Sequence, residues 1–111
     1  MSIHSTQATD SSGSVDALAI TGVMRALSNP NRLRIFLLLR DHLKREGKGA
    51  GLRVGEIAER LEVTQSTVSH HLKELEHAKV IRLERRGRNV MCSVVCETLE
   101  DVLECLGCNL S

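Results

Sequence analysis

The sequence predicts a mainly α-helical fold with one β-hairpin, contained in a single domain because 111 residues support no more than one core. Apolar residues recur at helical spacing over most of the chain. From Val80 onward their period changes to two, which indicates a pair of strands. The only proline, Pro30, and the glycine-rich stretch 47–51 divide the helical part into segments.

The first two helices are indicated by residues suited to their ends. Residues 1–14 are small and polar and are expected to form a disordered tail before a domain over 15–108. Asp16 is placed to cap the first helix, and Asn29 followed by Pro30 is a start signal for the second. The apolar side expected for the first helix comprises Leu18, Ile20, Val23, Met24 and Leu27.

Two short helices joined by a tight turn are predicted next. The apolar pattern over 57–61 indicates the first, and the turn follows at 62–63. Thr64 is placed to cap the second helix, in which the spacing over 68–75 turns one apolar face inward. Such a pair, polar on the free side of its second helix, is typical of a helix-turn-helix that enters the major groove of DNA.

The hairpin and a closing helix complete the predicted winged helix-turn-helix. Alternation on both sides of 85–89 predicts two strands, and glycine and asparagine in that basic tip suit a turn. Thr98 is expected to cap the closing helix and Gly107 to end it. Its apolar stripe comprises Leu99, Val102, Leu103 and Leu106.

Charge is polarised along the chain although the net charge is only +1. Residues 79–90 carry five basic side chains against one acidic one, whereas 97–111 carry four acidic and no basic side chains. A local basic patch is what nucleic acid requires. Single-stranded nucleic acid is disfavoured because Phe36 is the only aromatic residue, so double-stranded DNA is the predicted partner.

The amino terminus shows no signal peptide, and no apolar run is long enough to cross a bilayer. A cytoplasmic protein without a membrane partner is therefore expected. The sequence also lacks a nucleophile paired with a base, a phosphate-binding loop or paired carboxylates, so an enzyme is not predicted.

Candidate DNA contacts lie on the polar side of the second short helix and in the hairpin. Gln65 offers the paired donor and acceptor that adenine requires, and His70 suits a phosphate or guanine. The hairpin arginines are suited to phosphates or the minor groove. The alternative interpretation is a solvated helix face and a hairpin kept soluble by charge. The predicted contacts are Gln65, Ser66, Thr67, Ser69, His70, Lys73, Arg85, Arg86 and Arg88.

Three segments between Met24 and Val94 resemble the ArsR/SmtB family of repressors: "ALSNPNRLRIFLLL", "VGEIAERLEVTQSTVSHHLKEL" and "AKVIRLERRGRNVMCSV". The resemblance implies a homodimeric winged helix that binds an inverted-repeat operator and leaves it when a metal or metalloid binds. It also implies that the first and last helices form the dimer interface. The positions matching the family's DNA contacts are Gln65, Ser66, Ser69 and His70.

The four cysteines all lie within 92–108, which is predicted to be a sensing segment. In the reducing cytosol such a cluster favours metal binding or redox sensing over structural disulfides. The chain departs from the family at the sites of its best-known members, because 52–54 contain no cysteine pair and no histidine follows His77. An inducer would therefore bind the cysteines. Thiolates favour As(III), Cd(II), Pb(II), Cu(I) or Zn(II).

The spacing of the cysteines leads to the hypothesis of an inducer site with three thiolate ligands, Cys96, Cys105 and Cys108. Cys92 would be a fourth or reserve ligand. Cys105 and Cys108 are three residues apart at a helix end and can share an ion. Cys96, expected in the turn before the closing helix, is separated from Cys105 by roughly 12 Å of helix. In a dimer with antiparallel closing helices, Cys96 of one subunit would approach Cys105 and Cys108 of the other. A folded-back tail could instead close the same site within one subunit.

Arsenite is the favoured inducer, partly because of the family resemblance. Three alternatives remain open at this point: a repressor of the same fold that senses oxidants or persulfides through a reversible disulfide, cysteines that serve structure only, and a dimeric interaction module that does not bind DNA.

Overall fold

Five helices and a three-stranded antiparallel sheet make up the described part of the computed structural model, residues 17–107. The strand order is β1-β3-β2. The predicted tail, the Asp16 cap and Cys108 lie outside the described residues. The elements are α1 (Ala17–Leu27), α2 (Pro30–Glu46), β1 (Leu52–Arg53), α3 (Val54–Leu61), α4 (Gln65–His77), β2 (Ile81–Arg86), β3 (Asn89–Val94) and α5 (Cys96–Cys105).

The predicted start and end of α2 are confirmed. The side chain of Asn29 accepts hydrogen bonds from the backbone N–H groups of Asn31 at 2.9 Å and Arg32 at 3.1 Å, and Pro30 occupies the first turn. These bonds satisfy donors that have no partner inside the helix. The helix ends at Gly47, whose φ of 96° is accessible to glycine at little cost.

The end of α1 is fastened to the start of α2. The Arg32 guanidinium donates to the carbonyl oxygens of Ala26 at 2.7 Å and Arg25 at 3.3 Å, and the Ser28 hydroxyl also donates to Arg25 at 2.8 Å. Carbonyl groups at a helix end otherwise need water or another donor. The angle between α1 and α2 is therefore fixed by these side-chain hydrogen bonds as well as by packing.

The predicted helix pair is confirmed as α3 and α4. Glu62, between them, adopts the left-handed conformation with φ of 58°, and its N–H donates to the last carbonyls of α3. Thr64 caps α4 by accepting from the N–H of Thr67 at 3.1 Å. The predicted inward residues of α4 are all buried: Val68, Leu72 and Leu75.

The predicted hairpin is confirmed as β2 and β3, but its turn is shorter than expected. The pairing runs from Ile81↔Val94 to Arg86↔Asn89, which leaves only Gly87 and Arg88 in the turn. Gly87 has a φ of 63°, as two-residue hairpin turns require.

The short strand β1 was not predicted. Leu52 pairs with Cys92 and Arg53 pairs with Met91, so β1 lies on the side of β3 opposite β2. Two residues are too few to show an alternating pattern. β1 nevertheless joins α2 and the start of α3 to the hairpin, and it places Arg53 beside the wing.

The predicted apolar side of α1 is only partly correct. Val23 and Ala26 are buried, whereas Leu18 is 82% exposed and Met24 49% exposed. The core instead gathers on α2, the helix pair and the sheet. Its most completely buried large side chains are Ile35, Leu39, Leu52, Ile57, Val68, Leu72, Leu75, Val80, Ile81 and Cys92.

The start predicted for the closing helix is wrong. α5 begins at Cys96 with Val95 as its N-cap residue, so Cys96 is helical rather than in a preceding turn and Thr98 is not the cap. The Val95 N–H donates to the Val80 carbonyl at 3.0 Å, which fixes the entry to the helix beside the end of α4. Of the predicted stripe, Val102 is buried, whereas Leu103 and Leu106 are about half exposed.

None of the helices in residues 17–107 combines the length and apolar character needed to cross a membrane.

Replacing Gly51 with alanine should destabilise the protein. A Cβ at this position would lie 2.8 Å from the carbonyl oxygen of Cys92, which belongs to the backbone of β3 and cannot rotate away. We expect a loss of about 1–3 kcal/mol in the free energy of unfolding, measured in urea. Gly22→Ala is the control, because its added Cβ would meet nothing within 4 Å apart from its own stretch of helix, and helical alanine is favoured over glycine. Equal stability of the two variants would contradict the close approach.

Candidate nucleic-acid interface and cysteine segment

The polar side of α4 is positioned by its buried side. Because Val68, Leu72 and Leu75 are buried, the predicted contacts on the other side of the helix face outward. Gln65, Ser66, His70 and Lys73 are exposed and Ser69 is half-buried. This arrangement leaves the first turns of α4 accessible to a groove of DNA.

Thr67 differs from the other predicted contacts because its hydroxyl belongs to the helix cap. It accepts a hydrogen bond from the Thr64 hydroxyl at 2.9 Å, while the Thr67 N–H donates back to the same oxygen. Thr67 is exposed, but a contact with DNA would have to share this hydroxyl with the cap.

The three predicted wing arginines are all exposed but occupy different places on the hairpin. Arg85 shares a sheet face with Leu83, whereas Arg86 lies on the other face and forms an ion pair with Glu84 at 3.1 Å. Arg88 is in the two-residue turn. The wing therefore presents positive charge in several directions.

A cleft of about 210 Å³ separates the helix pair from the wing. It brings together the predicted contacts Gln65, Ser69 and Arg88, which come from α4 and the hairpin turn. A Cβ on Gly55 would lie 3.4 Å from the Gln65 amide nitrogen, so the end of the Gln65 side chain lies close to the start of α3. The lining residues are Arg53, Val54, Gly55, Gln65, Ser69, Arg88, Asn89 and Val90.

Arg53 is the charged residue of this cleft that the sequence did not indicate as a DNA contact. Its side-chain Nε lies 3.3 Å from a carboxylate oxygen of Glu56, and its backbone N–H donates to the same oxygen at 2.9 Å. The hydrogen bond from the Arg53 backbone lowers the pKa of Glu56, so this carboxylate is ionised at neutral pH. The sequence could not identify Arg53 as a cleft residue, because its position beside the wing depends on the pairing of β1 with β3.

His71 is half-buried on α4, and its Nδ1 is a buried atom without a hydrogen-bond partner in residues 17–107. Burial lowers the pKa of His71, and the positive charge of Arg32 lowers it further. The neutral imidazole is therefore favoured in the folded protein.

The cysteines differ sharply in environment. Cys92 has no exposed surface and lies at the centre of the sheet between Leu52 and Leu83. Burial raises the pKa of its thiol to about 12, which keeps it protonated at neutral pH. Cys96 is half-buried at the start of α5, and Cys105 is exposed at its end.

Within one protomer, α5 keeps two of the predicted ligands apart. The nine residue steps from Cys96 to Cys105 correspond to about 13 Å along the helix axis, too far for one ion to bridge. Residues 17–107 contain no group of three His, Cys, Asp or Glu side chains arranged to hold a metal ion. A three-thiolate site in this protein thus requires Cys108, a second subunit, or both.

Comparison with known proteins places this geometry among transcriptional regulators. A family model described as a helix-turn-helix domain matches residues 27–84. The transcriptional repressor SdpR of Bacillus subtilis is 33% identical over 82 residues, covering 74% of this chain and 82% of SdpR. The repressor SmtB of Mycobacterium tuberculosis is 39% identical over 69 residues, which cover 62% of this chain and 45% of SmtB.

The fold also matches solved structures. The ArsR family transcriptional regulator RHA00566 superposes with a TM-score of 0.68 at 21% sequence identity, covering 85% of this chain and 89% of that structure. This likeness confirms the predicted winged helix-turn-helix.

Thiol-specific alkylation should separate the cysteines by burial. In the native protein at about pH 8, iodoacetamide should modify Cys96 and Cys105 and leave Cys92 unmodified, because a buried thiol with a raised pKa supplies almost no reactive thiolate. Unfolding in urea should make Cys92 as reactive as the others. Mass spectrometry of proteolytic peptides measures each site, and native labelling of Cys92 at the rate of Cys96 would contradict the assignment.

Mild acid should destabilise the fold through His71. Its pKa is lower in the folded protein than the ordinary 6.5, so below that pH the unfolded chain takes up a proton that the folded chain resists. The contribution of neutral His71 to the free energy of unfolding is present above about pH 6.5 and is lost as the pH falls. His71→Gln should flatten the dependence of the unfolding free energy between about pH 5 and 7, whereas His77→Gln, at an exposed position, should not. Parallel curves for all three proteins would refute the role of His71.

Proposed function

The chain belongs to the ArsR/SmtB family of winged-helix transcriptional regulators, and from this premise we propose that it is a homodimeric repressor released from DNA by a thiol-binding inducer. Regulation of transcription, rather than catalysis, is the activity of this family. The observation that carries the proposal is the joint presentation of the polar side of α4 and the basic wing turn around one cleft.

DNA binding by this surface follows from its chemistry. The α4 residues Gln65, Ser66, Ser69 and His70 supply donors and acceptors for base edges and phosphates, and Lys73 adds positive charge. Arg85, Arg86 and Arg88 supply the phosphate or minor-groove contacts of the wing. In a dimer the two α4 helices would enter successive major grooves about 34 Å apart, which requires an inverted-repeat operator.

The dimer is supported by apolar side chains that one protomer leaves uncovered. Leu18 and Met24 on α1, with Leu103 and Leu106 on α5, are each about half exposed or more. Large apolar residues gathered on two helices favour an interface over solvent exposure. We assign that interface to α1 and α5, in keeping with the family.

The inducer site in this proposal consists of Cys96, Cys105 and Cys108. If the α5 helices of a dimer run antiparallel, Cys96 of one subunit approaches Cys105 and Cys108 of its partner, which removes the separation along one helix. Three thiolates suit a soft ion or metalloid, with arsenite favoured and Cd(II), Pb(II), Zn(II) and Cu(I) as the other candidates. Cys92 is assigned to the core because its thiol is buried and protonated.

A physical connection between this site and the DNA-binding surface supports regulation. The residue before Cys96, Val95, donates its N–H to the carbonyl of Val80, and the Val80 N–H donates to Leu75 in α4. Displacement of the start of α5 is thus transmitted to the end of α4. A useful switch needs a coupling free energy of about 1–3 kcal/mol between inducer and DNA.

Redox sensing is the second candidate function. The two described cysteines on α5 are accessible to different extents, and a disulfide across the antiparallel helices would restrain the same interface. Peroxide or polysulfide would then weaken DNA binding reversibly and leave a disulfide detectable by mass spectrometry.

Arsenite should weaken DNA binding by about 5–150-fold if it is the inducer. Fluorescence anisotropy of labelled promoter DNA measures the affinity with and without arsenite. Serine at Cys96, Cys105 or Cys108 should abolish the response and preserve DNA binding, whereas Cys92→Ala, the control in the core, should still respond. Unchanged affinity in arsenite would exclude metalloid sensing. Charge reversal at Arg85, Arg86 and Arg88 should weaken DNA binding. Retention of nucleic acid that this change leaves unaltered would favour the dimeric interaction module that does not bind DNA.

A further inference from the structure

We propose that the cleft between the helix pair and the wing is a binding site for a DNA backbone phosphate, with Arg53 as its principal ligand and Glu56 as an internal competitor. This inference rests on the proposed function and deepens it, because Arg53 and Glu56 were absent from the predicted interface. The ligand is a phosphodiester group of double-stranded DNA.

The position of Arg53 supports a phosphate site. The residue forms half of β1 and pairs with Met91 of β3, so the sheet holds its backbone beside the wing. Arg53 lines the cleft together with Arg88 of the hairpin turn. Two arginines from different elements therefore border one small cavity of about 210 Å³. Arginine is well suited to phosphate because its planar fork can donate two parallel hydrogen bonds.

The other polar side chains in the cleft can serve the same ligand. Gln65, Ser69 and Asn89 also line the cleft, each carries a hydrogen-bond donor on its side chain, and none of the lining residues is acidic. Backbone phosphates are commonly bound by such mixtures of arginine, serine, asparagine and glutamine side chains. A phosphate held here would fix the start of α4 and the wing on the same stretch of backbone.

Glu56 gives the site its distinctive property. Its carboxylate accepts from the Arg53 backbone at 2.9 Å and lies 3.3 Å from the Arg53 side chain. The backbone bond shapes the start of α3, but the ion pair engages the guanidinium that a phosphate would need. A phosphate that binds through Nε and a terminal nitrogen of Arg53 therefore displaces the Glu56 carboxylate from Nε, while the backbone bond stays in place.

The structure offers a variant that separates these two roles. Glu56→Gln keeps an oxygen acceptor for the Arg53 N–H but removes the charge that competes for its guanidinium. We expect this variant to bind DNA several-fold more tightly than the wild type. The gain in affinity should disappear in a protein that also carries Arg53→Gln, because removing the Glu56 charge then frees no guanidinium for the phosphate.

The experiment measures binding of each variant to a fluorescein-labelled duplex of arbitrary sequence, about 30 base pairs long, over a series of salt concentrations. Arg53→Gln should weaken binding several-fold and reduce the slope of log affinity against log salt by about 0.9, the value for one lost phosphate contact. Arg34→Gln is the control, because Arg34 is exposed on α2 outside the cleft and the charge change is identical. Thermal unfolding of every variant establishes that each is folded.

The outcomes separate this inference from the proposed function. A wild-type protein that fails to bind any duplex would refute the proposed function itself. Wild-type binding with the same slope for Arg53→Gln and Arg34→Gln would overturn the phosphate site alone. If Arg53→Gln proves unfolded, Glu56→Gln decides: tighter binding than wild type supports the site, and unchanged or weaker binding overturns it.

Discussion

The arrangement of this protein depends on the burial of one side of α4. Val68, Leu72 and Leu75 are almost completely inaccessible, and they contribute to the core with residues of α2, α3 and the sheet. Burying apolar surface is the main favourable contribution to folding, so this contact fixes the rotation of α4 about its own axis. The polar side chains of α4 that are predicted to contact DNA are oriented as a consequence.

Much of the candidate nucleic-acid interface was predictable from local signals in the sequence. Asn29 with Pro30, and Thr64 before α4, are capping residues whose effect depends on their immediate neighbours, so their roles were predictable. The alternation after Val80 similarly indicated the hairpin. The predicted DNA contacts themselves stay predictions, although the structure brings Gln65, Ser69 and Arg88 to one cleft.

Features that depend on distant pairing were not predictable from the sequence. β1 exists because Leu52 and Arg53 meet β3 across about forty residues of chain, and nothing in a two-residue segment reveals that partner. Cys96 begins a helix whose N-cap is Val95, a residue with no capping side chain, because the Val95 backbone is fixed by Val80. The sequence signal at Thr98 was overridden by this tertiary contact.

The cysteines illustrate why proximity in sequence is a poor guide to a shared site. Cys92 and Cys96 are four residues apart, yet one lies at the centre of the sheet and the other begins α5. Cys105 lies at the far end of that helix. The thiols are therefore of two kinds. Cys92 is a protonated thiol in the core, whereas Cys96 and Cys105 are more accessible thiols on a helix that also carries exposed leucines. Since Val102 is the buried residue of α5, the exposed side chains of this helix can diverge during evolution without disturbing the hydrogen bond from Val95 to Val80 that holds its first turn beside the end of α4.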